Sequence, residues 1–117
     1  MGILVTNNPM VQEQFQEKYH VEYSDTDLLG ILTKVRDSIH KGHRLLTHPL
    51  SGSVKPNETL YKTVLLTGAQ NKTDTMSVSI IEECIITAEK FPKRQIPKKY
   101  INDMQTVDLS LISNALE

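Results

Sequence analysis

The chain has 117 residues, 38% apolar and 23% charged, which suits one soluble domain, 1–117, around one core. Four Tyr, two Phe and no Trp leave that core to Ile, Leu and Val, and a formal net charge of −1 gives no global pull toward nucleic acid or a membrane surface. The single cysteine excludes an internal disulfide framework and fits a reducing compartment, and no apolar run approaches the ~18 residues of a membrane span.

Gly2 to Thr6 is an unbroken apolar run, expected as a central parallel strand covered on both faces. It also matches an N-myristoylation pattern, but a buried strand accounts for Ile3, Leu4 and Val5 together. Asn7-Asn8-Pro9 ends it, with Asn8 as N-cap and Pro9 in the first turn of a helix running to about Lys18; Met10, Val11 and Phe15 face inward. His20 to Tyr23 alternates and suits an edge strand. Ser24 or Asp25 can cap a second helix, where Asp27 suits the positive end of the dipole. Leu28, Leu32, Val35 and Ile39 make its buried stripe, and Lys41-Gly42 closes it.

Arg44 to Thr47 is expected as a third strand and Tyr61 to Thr67 as a fourth, separated by a loop over 47–59. A third helix spans Thr75 to Phe91, with Ile80, Ile81, Cys84, Ile85, Ala88 and Phe91 inward. Pro92 and Pro97 bracket a basic linker, 92–97. The segment Lys98 to Leu116 is helical, with a break expected near Thr106-Val107-Asp108. Its apolar side holds Ile101, Met104, Leu111, Ile112, Ala115 and Leu116. Val107 and Leu109 add a surplus that suits a homodimer seam.

This order predicts a three-layer α/β sandwich. The sheet would be small, four-stranded and mainly parallel, in the Rossmann-like or flavodoxin-like order 2-1-3-4, with helices on both faces. The fourth strand could run either way, because no crossover helix precedes it. In such a sheet ligands bind where the strand order reverses, here between Thr6-Asn7-Asn8 and the 47–59 loop. Ser51-Gly52-Ser53 offers two hydroxyls and a flexible backbone, Lys55 a positive charge, and Asn8 a helix N-terminus, a set that suits a small anionic ligand.

Asn7, Asn8, His48, Ser51, Gly52, Ser53, Lys55 and Asn57 are therefore the candidate binding residues. In an alternative reading His48 is a general acid or base, Lys55 steadies developing negative charge and Glu58 is a base or lid anchor. That would make a small enzyme acting on a phosphorylated or carboxylated substrate. A third reading is a protein–protein adaptor using the last helix and the basic linker. No phosphate-loop or dinucleotide motif is present, and His40, His43 and His48 diverge too far to suggest a metal. No cofactor is implied. Lys90, Lys93, Arg94, Lys98 and Lys99 suit a solvated linker better than a nucleic-acid surface.

Thr6-Asn7-Asn8-Pro9, followed by V-R-D-x-I-H-K-G-H-R-L-L-T-H-P-L-S-G-S-V-K-P-N-E-T-x-Y-K over 35–62, resembles the GrdX family. These are small proteins encoded with the glycine, sarcosine and betaine reductase systems of amino-acid-fermenting anaerobes. The resemblance implies an accessory role, the reductase components as partners and a cytoplasmic location. It carries over no catalytic residue.

Overall fold

The computed structural model describes residues 2–50, 59–92 and 95–116. In chain order the elements are β1 (Ile3–Thr6), α1 (Pro9–Phe15), β2 (His20–Tyr23), α2 (Leu28–His40), β3 (Thr63–Leu66) and α3 (Thr75–Lys90). A single 3-10 turn (Lys98–Tyr100) then leads into α4 (Ile101–Leu116).

Among the described residues the sheet has three strands in the order β2-β1-β3. β1 and β2 are parallel, with Leu4 opposite Val21, while β1 and β3 are antiparallel, with Val5 opposite Val64. The expected four-stranded, mainly parallel, Rossmann-like sheet in order 2-1-3-4 does not form. The run expected as the fourth strand sits directly beside β1 and points the other way. Arg44 to Thr47, expected between them, lies outside β3 and contributes only the bridge Leu45 to Leu66, supported by Leu46 N–H to Leu65 O at 2.9 Å and Thr67 N–H to Arg44 O at 2.8 Å. The reason is burial. Val64 and Leu66 are fully buried on one face of β3, and Thr63 is buried on the other. Such a strand belongs inside a covered sheet. Leu46, by contrast, is 53% exposed, and Arg44 is exposed beside it, which suits the margin.

The two faces carry separate cores. Val5, Val64 and Leu66 pack under α2 and α3 with Ile31, Leu32, Val35, Ile39, Ile81 and Cys84. On the other face Leu4 packs with Val11 and Phe15 of α1 and Ile112 of α4. Local signals explain the ends. Asn8 caps α1 and Pro9 sits in its first turn. Asp27, rather than Ser24 or Asp25, caps α2 by accepting from Gly30 N–H at 2.8 Å, and Asp74 caps α3 through Ser77 N–H at 3.1 Å. α1 stops at Phe15, short of Lys18. α4 runs unbroken through Thr106-Val107-Asp108.

α2 ends at Gly42, whose φ is +106°, and Gln70 N–H donates to its carbonyl at 3.0 Å. A Cβ here would collide with the Gln70 carbonyl oxygen. Gly42→Ala is therefore expected to destabilise the fold by about 2 kcal/mol, combining the left-handed φ with the clash. Urea unfolding of the two proteins would show it as a lower midpoint at unchanged slope.

Candidate functional site

Because β3 is antiparallel to β1, its amino end lies beside the carboxyl end of β1. Polar residues from three parts of the chain meet there: Thr6 at the end of β1 with Asn7 and Asn8 after it, Lys62 and Thr63 where β3 begins, and Asp108 from α4. All six are buried.

Burial requires each polar group to find a partner, and the partners define the site. The Asp108 carboxylate accepts from Thr63 N–H at 3.1 Å, Thr63 Oγ1 at 2.7 Å and Asn8 Nδ2 at 3.0 Å. Since the Thr63 hydroxyl donates to Asp108, the 2.7 Å contact between Thr6 Oγ1 and Thr63 Oγ1 has Thr6 as donor. Thr6 Oγ1 in turn accepts Asn8 N–H at 3.0 Å. The hydrogen bonds thus run in one direction from Asn8 to the carboxylate, and each polarises the next. Asn8 also accepts Met10 N–H at 3.0 Å as N-cap and donates to Gln105 O at 2.9 Å. One side chain therefore both starts α1 and fastens α4.

Asn7 holds the other side. Its Nδ2 donates to Thr26 O at 2.8 Å and Leu60 O at 2.7 Å, and its Oδ1 accepts Lys62 N–H at 2.9 Å. The outgoing end of the 47–59 segment is thereby clamped to the end of β1. Its incoming end arrives at the same place. Thr47 Oγ1 accepts Leu65 N–H at 3.0 Å, and Thr47 lines a crevice of about 30 Å³ with Lys62, Thr63, Asp108, Leu111 and Ile112. That volume has room for a water molecule.

Lys62 is the cation of the site, at 7% exposure. Burial pushes its ammonium below the ordinary value of 10.5, and the nearby charge of Asp108, with Cys84 behind it, only partly offsets this. Burial pushes the Cys84 thiol up, aided by Glu83 and opposed by Leu50 N–H and Lys62. Cys84 therefore behaves as a buried thiol of the core.

Of the residues singled out from sequence, Asn7 and Asn8 meet at this sheet end with their side chains already hydrogen-bonded to protein. His48 is exposed, its Nδ1 accepts Leu50 N–H at 3.1 Å, and it does not line the crevice. Ser51, Gly52, Ser53, Lys55, Asn57 and Glu58 lie outside the described residues. No group of three or more His, Cys, Asp or Glu able to hold a metal occurs among the described residues. Sequence reasoning missed Lys62, Thr63 and Asp108. The readable signal was an aspartate sharing the apolar face of Ile101, Met104 and Ile112 on α4, where a charge must have buried partners.

The fold and this polar sheet end define a small α/β sandwich on a mixed three-stranded sheet, with a buried lysine and aspartate where β1 meets β3. The family model described as GrdX-like protein matches residues 3–117, essentially the whole chain, and the protein belongs to that family. The search of curated proteins found no match, and neither did the search of solved structures. No helix among the described residues is long and apolar enough to cross a membrane.

Asp108→Ala removes one acceptor and strands the buried donors of Thr63 and Asn8. A loss of about 3 kcal/mol is expected, at the upper end for a single buried polar residue. Chemical unfolding would measure it, and a loss below 1 kcal/mol would contradict the network.

Proposed function

We propose that this protein is a non-catalytic accessory protein that binds a small anionic ligand at the sheet end where the 47–59 segment returns to β1. The observation that carries this reading is Lys62. It is a lysine buried at the start of β3, beside the crevice of Thr47 and Thr63, and its ammonium is desolvated beyond what Asp108 offsets. Charge attraction is less screened at a buried site, so an anion that reaches this ammonium is held more strongly than at a solvated surface lysine. The resemblance to proteins encoded with glycine, sarcosine and betaine reductases supplies the setting: a cytoplasmic partner of those reductase components. His48 stands outside the crevice, so the acid/base reading gains no support from it.

Thermal shift is the direct test. Phosphate, acetyl phosphate and a nucleotide at millimolar levels, against chloride at matched ionic strength, should include at least one that raises the melting temperature. Lys62→Met should abolish that response, with circular dichroism confirming that the variant is folded. Indifference of the parent protein to every anion tried would sink the proposal.

Lys62 also sets a pH signature. Its folded pKa is lowered, so the unfolded chain binds more protons as pH rises from that lowered value toward 10.5, and stability should rise through this window. Cys84 acts with the opposite sign, since its folded pKa is raised. The comparison that isolates Lys62 is the parent against Lys62→Met. The parent should gain stability relative to Lys62→Met on going from pH 7 to pH 10, as read by urea unfolding at each pH.

A further inference from the structure

The margins of the sheet are treated unequally. Arg44 to Thr47 covers the outer edge of β3, while no strand among the described residues pairs with the outer edge of β2. α2 crosses over β1 and leaves an open cleft of about 490 Å³ beside β2, whose margins include Glu22, Lys34, Asp37 and Lys41. The His20 and Glu22 side of β2 therefore has no helix over it.

The direction of the backbone groups on β2 follows from one hydrogen bond. Ser24 donates its N–H to Thr6 O at 3.0 Å, so residue 24 faces β1. Successive residues of a strand alternate in the edge to which they turn N–H and C=O. Glu22 and His20 therefore face β1, and Val21 and Tyr23 turn both groups outward. The side chains alternate too. His20 and Glu22 are exposed on one face, while Tyr19 and Val21 pack on the other against the core of Leu4 and Phe15.

We propose that this edge pairs with the same edge of a second copy, antiparallel and centred on Val21, joining two three-stranded sheets into one of six strands. Tyr19-His20-Val21-Glu22-Tyr23 is chemically self-complementary about its centre. In this register Val21 meets Val21, and both outward groups of each are exchanged. His20 of each copy lies opposite Glu22 of the other, twice, and Tyr23 lies opposite Tyr19 on the face of the α1 core. Opposite charges and aromatic pairs across strands are favourable, and like charges are not. Charges on a short edge strand ordinarily deter pairing. In this register each Glu22 faces a His20 and no two acids face each other. The two-fold axis stands perpendicular to the sheet, so the open cleft beside each β2 lies on the same side.

Sedimentation velocity of the full chain across a wide concentration range is the test, with circular dichroism confirming that each variant is folded. The parent should pass from monomer to dimer as concentration rises. Glu22→Lys should weaken the dimer about tenfold, by removing the acid that faces His20 at two places. His20→Glu combined with Glu22→Lys should recover it, because a carboxylate and an ammonium then face each other at both places. Val107→Asp, on the exposed side of α4, should leave it unchanged. A parent protein monomeric at every concentration would overturn the inference. So would a Glu22→Lys dimer as tight as the parent's, a double variant no tighter than the single one, or loss of the dimer in Val107→Asp alone.

Discussion

Asp108 is the residue on which the arrangement depends. A carboxylate at 4% exposure is costly unless donors surround it, and its donors come from Asn8 and Thr63. Those two residues close the end of β1, begin α1 and begin β3, so one buried acid positions three elements relative to α4. Hydrophobic packing alone does not fix this geometry. Leu4, Val11, Phe15 and Ile112 could slide against one another at modest cost, whereas a directed chain of hydrogen bonds into a fixed acceptor has one register.

Much of the local structure was legible in the residues. The Asn8 cap, the Leu28-Leu32-Val35-Ile39 stripe, the Gly42 terminus and the inward face of α3 follow from spacing and conformational preference. Those forces act within a turn or two of chain. The sheet was not legible to the same degree. Val64-Leu65-Leu66 and Leu45-Leu46 are both short apolar runs, and nothing local states which takes the inner place or which way it points. That choice is decided by burial on two faces by helices far away in sequence.

The site was legible in part for the same reason. The reading that Thr6-Asn7-Asn8 and the 47–59 segment converge rested on a reversal of parallel strand order, which is absent. Both ends of the segment nevertheless arrive at the carboxyl end of β1, by way of an antiparallel β3. Asn7 and Asn8 stood out as polar residues after a buried strand, and they turn out to hold the backbone in place. Lys62 and Asp108 were hidden by their neighbours. One sits among residues that look like the start of a strand, the other where a helix seemed about to break. A charge inside an apolar pattern can mark a broken element or a buried partnership, and only the distant partner distinguishes them.

Asn8 and Asp108 are 100 residues apart, and the adjoining bond from Asn8 to Gln105 spans 97. α4 is thus not an appendage that can swing aside to greet another molecule. Drawing it away would expose Leu4, Val11 and Phe15 and leave the buried donors of Asn8 and Thr63 without their acceptor. Any binding partner must approach this helix on its outward side, where Val107 and Leu111 lie. Deleting the segment from residue 92 onward would remove part of the foundation of the fold, not a detachable handle.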